Sequence, residues 1–314
     1  MKVLITGGAG FIGKNFALRC AEEKINFNVV DRDVNAVCDL RNLLHGRNYT
    51  NPQCICADTS EILEDVAEGV YDIVVHLAAV PRVPYSIEHP VETTNENIVK
   101  VVELLDACVK GKVKRFVFAS SSSVYGNSEV LPVEEDFDLN PISPYALQKK
   151  TAEEFCRLYA NLYDLDTVCL RLFTVFGPLQ TGESPYATVI CAWLDAVKEG
   201  RDIILYGDGT QSRDFCYIDN VTDALIKAST YEGEFLGEAY NISCGETTSC
   251  SSILDWFKNK YGLNSAYIQK LPRRIGDVDT TYGSIDKAKQ HFQYEPKVNV
   301  WDGLDKTAEW YMNH

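Results

Sequence analysis

Apolar residues along the chain fall in short runs alternating with longer stretches of helical spacing. Residues 2–6 form a run of the kind a buried parallel strand needs, and 14–23 then read as a helix. Runs at 28–31, 53–57, 71–76 and 114–119 predict four further strands. Residues 99–109 carry apolar side chains at helical spacing. A later helix opens at Tyr145, just after the chain-breaking Pro141-Ile-Ser-Pro144. It continues through 152–163 with an apolar stripe of Phe155, Leu158, Tyr159 and Leu162. Strand–helix alternation kept up to Leu172 predicts an α/β protein built on a doubly wound parallel sheet. Beyond that point the elements shorten. The expected division is 1–172, with a return segment near 214–236, and a smaller C-terminal α/β substrate-binding region over 173–314.

The turn between the first strand and helix carries Gly7, Gly10 and Gly13 around Phe11 and Ile12. G-x-x-G-x-x-G in this setting is a variant of the dinucleotide fingerprint. Gly7 allows the tight turn, Gly10 lets backbone approach a pyrophosphate, and Gly13 packs helix on strand. The helix N-terminus then offers amides to phosphate. Asp31 ends the second strand near the distance at which a carboxylate takes the adenine ribose hydroxyls, which favours NAD over NADP, although Arg32 lies beside it. Asp58 closes the third strand and is a candidate adenine contact. Leu77, Ala78 and Ala79 supply the small residues that a strand passing close under a cofactor needs. His76, just before them, reads as a packed strand-end histidine rather than a catalyst.

The fifth strand runs into Ser120-Ser-Ser-Ser-Val-Tyr-Gly126. Open α/β sheets bind ligands at the carboxyl ends of their strands, so these hydroxyls stand at a ligand edge. Tyr145 and Lys149, four residues apart, share one helix face. An ammonium near a phenol favours the phenolate, and such a pair can take a proton from an alcohol near neutral pH. A hydroxyl of this run can bridge a substrate hydroxyl to Tyr145.

Composition narrows the partners. The 314-residue chain is 46% hydrophobic and 24% charged, with a formal net charge of -15. A surface this acidic repels phosphate backbones, so nucleic acid is not expected, and an anionic small ligand needs a local arginine site. Eleven scattered cysteines, with no C-x-x-C and no histidine at ligand spacing, read as reduced thiols in a cytoplasmic protein, with no metal site. No apolar run is long enough for a membrane span, and Met1 leads directly into a strand rather than a signal peptide.

Taken in order, Thr6-Gly-Gly-Ala-Gly-Phe-Ile-Gly13, His76-Leu-Ala-Ala79, Ser120 to Gly126, Tyr145-x-x-x-Lys149, Arg171-x-Phe-x-Val-Phe-Gly-Pro178, Ser212-Arg-Asp-Phe-Cys-Tyr-Ile-Asp219 and Arg274-x-Gly-Asp277 resemble the extended short-chain dehydrogenase/reductase superfamily. The resemblance is to its NAD-dependent nucleotide-sugar epimerase/dehydratase branch and covers nearly the whole chain. It implies a Rossmann-type fold. Tyr145 would be base and acid, Lys149 would bind the nicotinamide ribose, and Ser121 would be the catalytic Ser/Thr. Ser122 and Ser123 would line the sugar. Arg213 and Arg274 would hold the diphosphate of a UDP-sugar, and Asp277 the uridine ribose. Thr174 stands where many members carry Asn. The family also implies a homodimer, formed here through helices 99–109 and 145–163.

The reaction follows from what the serine run lacks. The 4,6-dehydratases of this branch carry Asp-Glu after the catalytic Ser/Thr, and the UDP-glucuronate decarboxylases a Glu at the second position; here Ser122-Ser123 stands instead. The resemblance therefore implies inversion at C4 through a 4-keto sugar, with hydride leaving to and returning from NAD. UDP-glucuronate 4-epimerases usually carry an Arg soon after the Gly-Pro turn, whereas residues 179–185 contain Glu183 and no Arg, which favours a neutral hexose. Thr281 matches the position that gates the 2-substituent, and its small size admits UDP-GlcNAc and UDP-GalNAc beside UDP-Glc and UDP-Gal. UDP-glucuronate 4-epimerization is the alternative. A net dehydrogenase or reductase, or a non-catalytic NAD-binding protein, is less favoured.

Overall fold

The structure, a computed structural model, describes residues 1–49, 52–181, 188–273 and 278–314. Its centre is a seven-stranded parallel sheet. The strands are β1 (Lys2–Thr6), β2 (Asn26–Asp31), β3 (Gln53–Cys56), β4 (Ile73–His76), β5 (Arg115–Ser121) and β6 (Thr167–Leu172), followed much later by β11 (Ala239–Ile242). Their order is β11-β6-β5-β4-β1-β2-β3, so the winding reverses between β1 and β4. In an open α/β sheet that reversal opens a crevice at the carboxyl ends of the strands.

Side chains alternate across the sheet, as strand geometry requires. Val3, Ile5, Ile73, Val75 and Val117 enter one buried layer with Phe16, Leu18 and Leu225. Leu4, Val74, Phe116 and Phe118 enter the other with Val101, Leu104 and Cys156. The first layer is covered by α1 (Phe11–Glu22), α2 (Val34–Gly46) and α9 (Ile218–Thr230), the second by α6 (Lys100–Lys110) and α7 (Pro144–Tyr163). All eleven cysteines are free thiols; eight of them, among them Cys108, Cys156 and Cys169, are buried, Cys244 is half-buried, and Cys38 and Cys56 are exposed.

The expected elements are present, with boundary shifts that have local causes. The first helix starts at Phe11, three residues before the apolar stripe suggested, because Gly10 serves as an N-cap without a side chain. The helix expected over 99–109 is preceded by α4 (Val83–Glu88), α5 (Pro90–Thr94) and a π-helical turn, Asn95–Val99. The segment near 214–236 holds the short strand Phe215–Tyr217 (β10), paired with Thr174–Phe176 (β7), which leads straight into α9. α9 packs against α1, and β11 extends the sheet beside β6. Two small ribbons complete the C-terminal half: β8 (Ile203–Tyr206) with β13 (Ile268–Leu271), and β9 (Ser212–Arg213) with β12 (Thr248–Ser249).

Candidate active site

Gly7 has φ +64°, and a Cβ there would lie 2.5 Å from the Ala78 backbone nitrogen. The β1 turn and the 77–79 segment after β4 therefore touch backbone to backbone, and Leu77 N donates to Thr6 O at 3.0 Å. A Cβ on Gly13 would meet Gly7 O at 2.4 Å, so helix α1 also packs on the turn. The first turn of α1, with Phe11 and Ile12 half-buried, carries no side-chain cap and no acidic residue. Its amides thus face the loop without an internal acceptor, as a pyrophosphate site needs.

Asp31 stands at the end of β2. One carboxylate oxygen accepts from Ala9 N and the other from Asp33 N, both at 3.1 Å. This ties Asp31 to the glycine loop. Arg32 forms a 3.0 Å ion pair with Glu96. Asp58 closes a capping box with Glu61. Its carboxylate also accepts from Ser60 and, at 2.6 Å, from Lys100 Nζ. Against the cost of partial burial, the Lys100 and Ser60 bonds hold Asp58 down to about 2. Both its oxygens are engaged in that local structure. The turn, the uncapped helix end and Asp31 together fit an adenine dinucleotide.

The serine run leaves β5 at the same edge. Ser121 caps the short 3-10 turn Ser122–Tyr125 by accepting from Ser123 N at 3.2 Å. Ser143 caps α7, with Pro144 in its first turn, and so sets the start of the helix that carries Tyr145 and Lys149. Tyr145, Lys149 and Glu153 all lie on its buried face. Burial pushes the Tyr145 phenol up to about 12, opposed by a hydrogen bond with Ser121. Burial likewise brings Lys149 down to about 8, opposed by Glu153. Lys149 Nζ donates to Ala119 O at 2.7 Å and lies 5.9 Å from the Tyr145 ring centre. Against burial, the side chain that favours the Tyr145 phenolate within the chain is Ser121, while the Lys149 ammonium is bonded to the Ala119 carbonyl.

His76 is a packed strand-end residue, as expected. It is stacked on Phe116 and Phe118, with Nδ1 2.7 Å from Thr6 Oγ1. Burial, aided by Lys149, brings it down to about 3, so it is neutral.

The other predicted residues come from the C-terminal half. Ser122 and Thr281 line one small cleft with Tyr125, Phe173 and Tyr282. Ser123 Oγ is buried without a partner among the described residues. Thr281 Oγ1 accepts from Asp214 N at 3.1 Å, which fixes Thr281 beside β9. Thr174 N donates to Asp214 O at 3.1 Å. Arg213 donates to the Ser212 and Asp279 carbonyls. Arg274 and Asp277, and residues 182–187 of the specificity loop, lie outside the described residues.

Sequence reading missed the groups that brace this site. Gln148 accepts from Asn97 Nδ2 at 2.8 Å and donates to Thr93 and Thr94. Asn97 in turn bonds both the N–H and the C=O of Val80. The π-helical turn thereby clamps the segment after Ala79 to α7. Ser86 Oγ accepts from Tyr145 N at 3.1 Å. Asp214 is fully buried and accepts from Cys244 N and Gly283 N. Glu153 was within reach, since continuing the Tyr145–Lys149 spacing by four more residues lands on it.

A glycine turn, Asp31 at the end of β2, and Ser121, Tyr145 and Lys149 at one sheet edge fit a dinucleotide-dependent enzyme acting on an alcohol carbon. The chain belongs to the NAD dependent epimerase/dehydratase family, whose model matches residues 3–243, and its cofactor is NAD. It is 32% identical to a putative UDP-glucose 4-epimerase of Methanocaldococcus jannaschii, over 99% of both chains. It is similar to the UDP-N-acetylglucosamine 4-epimerase of Methanobrevibacter ruminantium M1, solved with UDP-N-acetylmuramic acid (TM-score 0.90, 29% identity, 99% of this chain and 98% of that one). It is also similar to the UDP-glucuronic acid 4-epimerase of Bacillus cereus, solved with UDP-glucuronic acid and NAD (TM-score 0.88, 30% identity, 100% and 99%).

Proposed function

We propose that this UDP-sugar 4-epimerase acts on a neutral UDP-hexose, UDP-GlcNAc/UDP-GalNAc or UDP-Glc/UDP-Gal. The observation that carries the reading is the set of Tyr145 and Lys149 on the buried face of α7 beside Ser121, followed by Ser122 and Ser123 rather than by further acids. Such a site can move a proton at one hydroxyl and has no second acid–base pair beside Ser121 for eliminating water.

NAD, when bound, supplies the hydride acceptor and donor. Tyr145 takes the proton from the 4-hydroxyl, with Ser121 holding both oxygens in line. Lys149 keeps a positive charge under the phenolate and binds the ribose. After the 4-keto sugar turns, Tyr145 returns the proton on the other face. Arg213, Arg274 and Asp277 hold the nucleotide while the hexose moves, and Ser122, Ser123 and Thr281 line the hexose. Glu183 and the lack of an arginine in 179–185 support a sugar without a carboxylate. The exposed Val99, Leu158, Leu162 and Tyr163 on the two helices support a homodimer through that face.

The test is to incubate the protein separately with UDP-GlcNAc, UDP-Glc and UDP-GlcA and follow the anomeric protons by NMR. Turnover of a neutral sugar is expected. Turnover of UDP-GlcA alone would move the assignment to the glucuronate series, whose relatives are equally similar.

A further inference from the structure

Beneath the serine run lies a buried charge network that the reaction does not itself use. Glu153 and Arg171 are 7% and 4% exposed, no more than Tyr145 and Lys149 at 8% and 4%. The pair is bidentate, with Arg171 Nε to Glu153 Oε1 at 3.0 Å and Nη2 to Oε2 at 2.8 Å. Ser120 Oγ donates a short hydrogen bond to the same Glu153 Oε1. Arg171 Nη1 donates to Tyr125 OH at 2.8 Å and to Glu135 O at 3.0 Å. Tyr125 OH passes the chain on to Asn241 Oδ1 at 2.7 Å.

The serine run is therefore held at both ends by one ion pair: at Ser120 through Glu153 and at Tyr125 through Arg171. Ser121, the partner of Tyr145, lies between the two anchors. Glu153 also sits one helical turn beyond Lys149 on the same face. A buried pair of this kind is weak evidence for stability, because desolvation offsets much of its attraction. Its placement suits a different task.

We propose that Glu153 is a positioning residue for the Ser121–Tyr145–Lys149 set, anchoring the serine run through Ser120 and providing the buried counter-charge for Lys149. The proposal rests on the functional reading above only for its kinetic part. The groups facing Lys149 are Tyr145, Glu153 and Cys156 on its own helix, Cys169 on β6 and His76 on β4, with Arg171 on β6 behind Glu153. Of these, Glu153 is the carboxylate that favours the ammonium. With its charge removed, Arg171 faces Lys149 without compensation.

The test uses NAD-loaded protein carrying Glu153→Gln, which keeps an oxygen for Ser120 and Arg171 but loses the charge. Folding is checked by retained NAD and thermal midpoint. The Lys149 ammonium is titrated by 15N NMR of lysine-labelled protein and assigned by its loss in Lys149→Met. Its inflection is expected to fall by about one pH unit, a factor of about ten in proton affinity. Turnover of the UDP-sugar should fall through kcat rather than KM, with the deficit about tenfold at pH 8.5 and shrinking as the pH is lowered. A second variant, Glu153→Leu/Arg171→Leu, replaces the pair with apolar groups and is expected to fold. It should still lose kcat, because Ser120 and Tyr125 are no longer anchored. An unmoved Lys149 titration, a Glu153→Gln deficit equal at every pH, or a folded double variant with wild-type kcat would each overturn the proposal. If the wild type turns over no UDP-sugar, the functional reading fails, while the lysine titration still decides this one.

Discussion

Lys149 Nζ donates to the Ala119 carbonyl oxygen at 2.7 Å, two residues before Ser121 on the same strand. One bond thus sets α7 against β5, the strand that ends at Ser121. Because burial leaves Lys149 at about 8, its charge is present below that pH and lost above it. Turnover should fall on an alkaline limb centred near pH 8, and Lys149→Met should be slow and lack that limb.

The same group makes a prediction about stability. In the unfolded chain Lys149 titrates near the ordinary 10.5, so between about 8 and 10.5 the folded state binds fewer protons than the unfolded one. Stability from this site therefore rises with pH across that window. Thermal midpoints of wild type and Lys149→Met, measured from pH 8 to 10.5, should differ by an amount that changes in that direction.

Tyr145→Phe removes the proton carrier but leaves the packed ring. Activity should drop by about 10²–10⁴-fold, with NAD content and thermal midpoint little changed. A variant that stays active would show that another group moves the proton.

Gly7→Ala places a Cβ 2.5 Å from Ala78 N on a residue with φ +64°. The glycine turn and the 77–79 segment must then part, so the variant should purify with little NAD and bind added NAD weakly, as measured by calorimetry.

Gln148→Leu removes one hydrogen bond each from Asn97 Nδ2, which keeps Val80 O, and from the Thr93 and Thr94 hydroxyls, which still donate to the His89 and Pro90 carbonyls. Each lost hydrogen bond costs about 0.5–1.5 kcal/mol, which should appear as a lower denaturation midpoint. The clamp on Val80 should loosen too, raising the KM for NAD in apoprotein.

The glycine turn, Asp31, the serine run and the Tyr145–Lys149 face were legible because each is local: spacing alone decides which residues share a turn or a helix face. The alternation that predicted the sheet worked for the same reason. Glu153–Arg171 was not legible, since a helix residue and a strand residue 18 positions apart pair only once the sheet has formed. The π-helical turn at Asn95–Val99 has no period of its own in the sequence, and its value comes from a distant contact, Asn97 with Val80. The bond from Lys149 Nζ to the Ala119 carbonyl was not legible, because spacing does not reveal where a lysine head group points. Asp214 lay inside a recognised motif, yet its ties to Cys244 and Gly283 join segments that only the tertiary fold brings together.

The central claim is that hydrogen leaves C4 of the hexose and returns to it without meeting solvent, while Tyr145 alone handles the proton. A UDP-hexose carrying deuterium at C4, incubated with the protein in ordinary water, tests it most directly. The account predicts that the epimerised product keeps its deuterium at C4, by NMR or mass spectrometry. Loss of deuterium to solvent, or its appearance at another carbon, would contradict it.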